Sequence, residues 1–367
     1  MIYFDSAATT LQKPSGVGMA VRMAIDNCGS VGRGGYRAAN LAEETVFCCR
    51  SMAAEQFDAA PEQVVFTMNA THGLNLAIKT LVPPGGKVVT SGFEHNAVVR
   101  PLAALGAKVT QAGHRLFDRE NTIKEFAFVL KEPVDAVICN HVSNVFGFVL
   151  PIEEIGELCR AKGIPLIIDA SQSAGILPVS LGGSGARFIA MPGHKGLYGP
   201  QGTGILLCAH GGEPLLEGGT GSNSQLAEMP EFLPDRLEAG THNVCGIAGL
   251  LEGLKFVKRL SSEKILRHEQ MLLHKLVQGL KDHPRIKLYT GEGQTGVLSF
   301  IVDGMDCEEA AQLLAQNGIA VRAGLQCAPQ AHCSAGTLHQ GTVRVSFSAF
   351  NTLGEIRQFL QICRKVF

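Results

Sequence analysis

Lys195 lies in a glycine-rich stretch, Met191-Pro192-Gly193-His194-Lys195-Gly196-Leu197-Tyr198-Gly199, with Gly202 and Gly204 just behind it. Apolar runs of strand character flank this stretch, so the turn would hold the amine at the end of a sheet. Any single lysine is most often a solvated surface residue; the company this one keeps reverses that expectation. Asp169 follows the apolar pair Ile167-Ile168, where a carboxylate is costly unless a cation or donor meets it. Farther upstream, Phe66 to Asn75 passes from strand to helix around Ala70, Thr71 and His72, offering unpaired N–H groups and a hydroxyl to an anion. Taken alone, that segment reads equally well as an ordinary capped helix. A phosphate cradle, an amine that condenses with an aldehyde and an acid that meets a ring-nitrogen cation are together what pyridoxal phosphate requires of a protein.

The elements that must position these residues follow an alternating rhythm. Strand-like runs occur at Gln63 to Thr67, Lys87 to Thr90, Val134 to Cys139, Pro165 to Ile168, Arg187 to Met191 and Gly204 to Cys208. Helical patterns such as His95 to Leu105 and Ile152 to Lys162 separate them, which predicts an α/β unit with a largely parallel sheet covered on both faces. Ligands of such sheets sit beyond the strand C-termini. After Gly218-Gly219-Thr220-Gly221 the texture changes to two long helical patterns, Asn243 to Leu260 and Glu263 to His283. Strands at Ile286 to Tyr289 and Val297 to Val302 follow, then a helix at Glu308 to Asn317, strands at Ile319 to Arg322 and Thr342 to Phe347, and a last helix from Leu353 to Val366. This predicts a second, smaller α+β domain, joined near residue 240 by a helix rather than a flexible tether.

The 367 residues suggest about two domains. With 46% hydrophobic and 18% charged residues the chain has apolar surface to bury, which excludes a disordered tail. Its 32 basic and 33 acidic side chains leave no basic surplus for nucleic acid. No apolar stretch is long enough to span a membrane, and the start lacks a basic-then-apolar leader, so a soluble cytoplasmic protein is expected. The eleven cysteines are scattered and odd in number, without C-x-x-C, which reads as reduced thiols. Cys327, His332, Cys333 and His339 lie close together, but no second cysteine pair completes a zinc pattern, so no metal is expected. Gly291, Gly293 and Gly296 fit G-x-G-x-x-G, yet a strand pattern rather than a helix follows, and a β-turn is expected there.

Seven blocks extend the pattern along nearly the whole chain: Tyr3 to Thr10, Glu94-His95-Asn96, His141 to Gly147, Gly193-His194-Lys195, Glu238 to Thr241, Arg322 to Ala328 and Thr342 to Ser346. In this order they resemble the cysteine desulfurase-like proteins of the class V aminotransferase family. The resemblance implies fold type I of the pyridoxal phosphate-dependent transferases, an α/β architecture. Its large cofactor-binding domain (15–240) would have a mainly parallel sheet. A small α+β domain (1–14 and 241–367) would carry the substrate arginine and the sulfur-acceptor loop.

By the same resemblance Lys195 binds pyridoxal 5'-phosphate covalently, Asp169 pairs with the ring nitrogen, and His95 stacks over the ring and shuttles a proton. Asn144 and Gln172 contact the phenolic oxygen or the substrate. Ala70, Thr71 and His194 hold the phosphate, and Thr241 serves the other subunit of a homodimer. Arg344, with Arg322, forks onto the substrate carboxylate, a task that suits guanidinium geometry. Cys327 accepts sulfur. The implied reaction converts L-cysteine to L-alanine and leaves a persulfide on Cys327, with a sulfur-acceptor protein downstream. Selenocysteine lyase, a transaminase or an epimerase are the neighbouring activities, and a non-catalytic sulfur carrier the more distant one.

Several of these residues have plainer readings: a helix-capping His95, a salt-bridging Arg344, a buried apolar Cys327. The surroundings of Cys327, with Gly324, Gln326, Pro329, Gln330, His332 and Gly336, read instead as a polar loop that exposes the thiol. The chain also departs from its relatives. Pro192 stands where they carry a serine that donates to the phosphate, with Thr220 and Ser222 as candidates to compensate, and Cys333 is an extra thiol.

Overall fold

The computed structural model describes residues 1–32 and 34–367. The chain opens with a two-residue strand, β1 (Ile2–Tyr3), and two helices, α1 (Ser15–Asn27) and α2 (Arg37–Gln56). Alternation follows through β2 (Val64–Thr67), α3 (Ala70–Leu81), β3 (Lys87–Ser91), α4 (Asn96–Ala104), β4 (Lys108–Ala112) and α5 (Arg119–Val129). It continues through β5 (Ala136–Asn140), α6 (Ile152–Lys162), β6 (Leu166–Asp169), the single turn α7 (Leu181–Ser184), β7 (Phe188–Pro192) and β8 (Gly204–Cys208). These strands form a seven-stranded sheet in the order β2-β8-β7-β6-β5-β3-β4. Only β8 runs against the others, so the expected mainly parallel α/β sheet is present.

The central strands β5, β6, β7 and β8 are buried along their whole length, because helices cover both faces. On one face α3 and α4 contribute Leu74, Ile78, Val98 and Leu102; on the other α2 and α6 contribute Val46, Ala53 and Ile155. Residues this apolar announce such strands in the sequence. The sheet edge is different: β4 is exposed over four of its five positions and carries Lys108, Thr110 and Gln111, so no apolar run marks it.

The second half comprises α8 (Val244–Leu260), α9 (Ser262–Leu280), β9 (Ile286–Tyr289), β10 (Val297–Val302), α10 (Cys307–Gln316), β11 (Ile319–Ala320), α11 (Pro329–Ala335), β12 (Val343–Ser346) and α12 (Leu353–Val366). Helix α8 sends Val244, Ile247, Leu250 and Leu254 into the core of the large sheet. A separate core gathers α9, α10, α12 and the antiparallel sheet β12-β10-β9. The N-terminus joins it: β1 pairs with β11, and Phe4 packs edge-on against Phe347 at 5.1 Å. The turn at Gly293 carries φ +66° and leads into β10, as expected for Gly291 to Gly296.

The polar loop expected around Cys327 is corrected. Residues Pro329–Ala335 form α11, with Pro329 at its first turn and Gly336 closing it at φ +68°. That pairing of proline inside the start and glycine past the end is the standard bracket of a short helix. His332 within it is completely buried.

Candidate active site

The sheet register brings the chemistry to one edge. Asn140 and Asp169 pair at the ends of β5 and β6, and the chain leaving β7 runs directly through Pro192 to Lys195. Beyond these ends lies a cavity of about 240 Å³. Its walls include Ala70, Thr71, His95, Asn144, Asp169, Gln172, His194 and Lys195, all singled out in the sequence, together with Ala8, Asn69, Asn140, Ser171 and Pro192.

Lys195 is held by close backbone approach. A Cβ on the neighbouring Gly196 would lie 2.3 Å from the Ala174 carbonyl, and one on Gly193 would strike Thr203, so the turn requires glycine at both positions. Burial pulls the Lys195 amine down to about 8, against the opposing pull of Asp169, which leaves an appreciable neutral fraction near pH 7. Asp169 is buried, and Ser171 N–H donates to its Oδ1 at 2.9 Å.

His95 caps α4: its Nδ1 accepts the Ala97 N–H at 3.0 Å. The cap holds Nδ1 unprotonated and leaves the ring proton on Nε2. Burial lowers the imidazole pKa further, so the ring on the cavity wall is neutral. His95 therefore caps the helix and lines the cavity at once.

Helix α3 points its N-terminus at the same cavity. The Asn69 side chain caps the His72 amide at 2.9 Å, while the Ala70 and Thr71 amides and the Thr71 hydroxyl have no hydrogen-bond acceptor among the described residues. Asn144 Nδ2 donates to the Gln326 carbonyl at 2.8 Å, and its buried Oδ1 has no partner among the described residues. Gln172 spends one amide proton on the Ala7 carbonyl. Pro192 presents neither hydroxyl nor N–H to this wall. Thr220 and Ser222 bond to each other, and Ser222 to Asp235, and both hydroxyl residues line a different cavity.

Thr241, Arg322, Arg344 and Cys327 also stand outside the cavity lining. Thr241 is exposed and borders a second cavity of about 200 Å³, beside Thr67, Met68 and His72. Arg322 and Arg344 exchange backbone hydrogen bonds at 3.2 and 2.7 Å, which sets their side chains on one carboxylate. Arg344 donates from Nη2 to Asp5 Oδ1 at 2.8 Å and from Nη1 to the Asn144 carbonyl. Arg322 donates from Nε and Nη2 to Asp5 Oδ2. Arg344 is thus the salt-bridged residue its strand position suggested, yet two guanidiniums on one carboxylate leave a net positive charge. Its Nε is buried without a partner among the described residues.

Cys327 is exposed and follows Gln326 in consecutive left-handed conformations, φ +42° and +57°. Two such residues cost about 1–3 kcal/mol each and persist only when over-determined. Gln326 supplies the restraint: it donates to the Thr342 carbonyl at 2.9 Å and accepts from His332 Nε2 at 3.0 Å. His332 Nδ1 in turn meets the Thr337 hydroxyl at 2.7 Å. With both nitrogens engaged, His332 has no lone pair for a metal.

Sequence reasoning gave no role to Asp5 or Glu94, although both lie inside quoted blocks. Their signal was an acid in a largely apolar or small-residue context, which costs too much to be idle.

Residues 2–359 match the family described as Aminotransferase class-V. A probable cysteine desulfurase of Pyrococcus abyssi is 30% identical, over 100% of this chain and 94% of its own. One from Mycolicibacterium paratuberculosis is 32% identical over 100% of this chain, which spans only 55% of that relative's length. Among solved structures, the apo cysteine desulfurase from Thermococcus onnurineus NA1 superposes with a TM-score of 0.90 at 30% identity, covering 100% of this chain and 94% of that one.

Proposed function

Because the chain belongs to the class-V aminotransferase family, we propose that it is a pyridoxal phosphate-dependent cysteine desulfurase, turning L-cysteine into L-alanine and keeping the sulfur on Cys327. The observation that carries this reading is the pairing of a desolvated lysine and a buried aspartate in one cavity, with an exposed thiol on a restrained turn beside its rim. The fold is fold type I.

The cavity suits the cofactor. Asp169 is a buried acceptor for a protonated ring nitrogen, and the unpaired Ala70 and Thr71 amides with the Thr71 hydroxyl suit a phosphate. Lys195 is the covalent anchor, His95 presents a ring to stack, and Asn144, Gln172 and His194 complete the walls. Thr241, outside the lining of this chain's Lys195 cavity, serves the phosphate of a second subunit. Pyridoxal phosphate, when bound, supplies an electron sink for the pair left behind at the substrate Cα.

The chain's own groups do the rest. Arg344 and Arg322, with their surplus positive charge, draw the substrate carboxylate. Lys195, partly neutral because it is desolvated, takes the Cα proton on Nζ. The Cys327 thiolate attacks the substrate sulfur: a bond forms between the two sulfurs, the substrate C–S bond breaks, Cβ takes up the proton that the Cys327 thiol gave up, and the proton held on Lys195 Nζ returns to Cα as alanine leaves. His95 offers its Nε2 proton to the cavity while its cap bond lasts. Protein thiol plus cysteine gives alanine plus protein persulfide, with atoms and electrons balanced.

The test is alanine and sulfide formed from L-cysteine, with cofactor and a thiol reductant present. Equal alanine and sulfide support the assignment; a keto acid in place of alanine points to transamination and overturns it.

A further inference from the structure

Glu94, directly before His95, is completely buried. Its Oε1 accepts the Asn140 amide at 2.9 Å and lies 2.5 Å from Ser91 Oγ. That hydroxyl oxygen also lies 2.9 Å from Asn140 Oδ1. The orientation of the Asn140 side chain is fixed, because its Nδ2 donates to the Phe93 and Val142 carbonyls, so Oδ1 only accepts. A serine hydroxyl carries one proton. With acceptor oxygens on two sides, one of the contacts would join bare oxygens unless another proton is present, and Glu94 is the group that can carry it. Glu94 Oε2 is buried without a partner among the described residues, which a neutral carbonyl oxygen tolerates far better than half of a carboxylate does.

We propose that Glu94 is a neutral carboxylic acid whose O–H donates to Ser91, and that it is a positioning residue tying the ends of β3 and β5 together beneath His95 and Asn140. Its surroundings agree. Burial pushes the carboxyl up to about 8, the Ser91 and Asn140 hydrogen bonds oppose the rise, and Asp169 adds to it. The titratable groups facing it are Asp169 at the end of β6 and the Cys139 thiol in β5, itself raised by burial. At one atom, Oε1 both donates to Ser91 and accepts from Asn140. Glutamine cannot copy this, since its oxygen only accepts and its nitrogen only donates. A neutral Glu94 also adds no further carboxylate charge to those of Asp169 and Asp5, which act on Lys195.

The proton count stands on its own; only what the acid positions rests on the proposed function. Infrared spectra of the whole protein at pH 7 should show a protonated-carboxyl band that Glu94→Gln removes and that fades in the wild type as the pH rises through about 8. Glu269, also raised to about 8 by burial, contributes a second band common to both proteins. Ser91→Ala keeps the acid but removes its acceptor, so the band should move to higher frequency; this variant decides the matter if Glu94→Gln does not fold. Identical spectra for wild type and Glu94→Gln, or an unmoved band in Ser91→Ala, overturn the protonation. In turnover, losing one hydrogen bond should lower kcat in Glu94→Gln about tenfold with KM nearly constant. Full kcat overturns the positioning role. A wild type that yields no alanine defeats the proposed function and leaves the infrared result standing.

Discussion

The Asn96 amide donates to the Cys327 carbonyl at 2.7 Å. One residue along the chain from Asn96, His95 lines the cavity, so this bond fixes the thiol-bearing turn of the C-terminal half to the rim of a site built by the large sheet. The Ser334 hydroxyl, donating to the Gly92 carbonyl at 2.7 Å, makes a second tie from α11. The thiol position is therefore set by the same β3–α4 connection that sets His95, and not by free motion of a loop.

Cys327→Ser should abolish sulfide release from cysteine while cofactor binding and its colour persist, because only the displacement at sulfur needs the thiol. Cys333, exposed on α11, is the control. Retained activity in Cys333→Ser together with loss in Cys327→Ser supports a single nucleophile, measured as sulfide and as persulfide label on the protein. Loss in both variants indicates a relay between the two thiols.

For Lys195, borohydride treatment of the cofactor-loaded protein should fix the cofactor to this side chain, and Lys195→Ala should remove the adduct. A stability effect follows in the cofactor-free protein. A lysine whose folded pKa is depressed to about 8 is penalised while protonated, below that pH, and relieved as the pH approaches the unfolded value near 10.4. Lys195→Met should thus stabilise the cofactor-free protein at pH 7 by at most on the order of 3 kcal/mol, less whatever cavity water screens. Urea titrations should show that advantage shrinking between pH 8 and 10.

Asp5 separates the two readings of Arg344. Arg344→Ala should raise the cysteine KM and lower kcat/KM about tenfold to a hundredfold if the guanidinium meets the substrate carboxylate. Asp5→Asn strips both arginines of their partner, which should cost about 3–5 kcal/mol of stability and leave KM unchanged or lower. Two variants that lose stability without moving KM would mark the trio as structural only.

How much of this could be read in the sequence depends on what each residue must satisfy. The central strands, Lys195 and Asp169 were legible because burial on two faces demands apolar runs, and an acid or amine at their ends then stands out. The helix at Pro329 reads as a loop in the sequence because its polar residues conceal His332, whose buried ring is satisfied by Gln326 and Thr337. Residue types alone could not reveal that both arginines converge on Asp5, a contact spanning more than 300 positions along the chain. Glu94 sat in view within a recognised block, but its protonation depends on counting the hydrogens around Ser91, which needs coordinates.

Thr241 lies between Glu238 and His242, which meet at 2.7 Å. Glu238 is buried, and burial alone would raise its pKa; the hydrogen bonds from His242 and Arg50 outweigh that and hold the carboxyl below its ordinary value. Arg50 donates to its two oxygens at 2.9 and 2.8 Å, and the Phe66 amide donates as well. A carboxyl depressed on folding contributes stability above its unfolded pKa and loses it as the pH falls through the folded one. Arg50→Ala should therefore cost about 3–5 kcal/mol at pH 7, with the deficit narrowing in acid, as urea titrations at both pH values would show. Thr241→Ala breaks none of these bonds and should leave stability alone. If Thr241 reaches a second subunit's phosphate, the variant should shed cofactor faster on gel filtration, and dissociating the dimer should release it altogether. Monomers that keep their full complement of cofactor would remove Thr241 from the site.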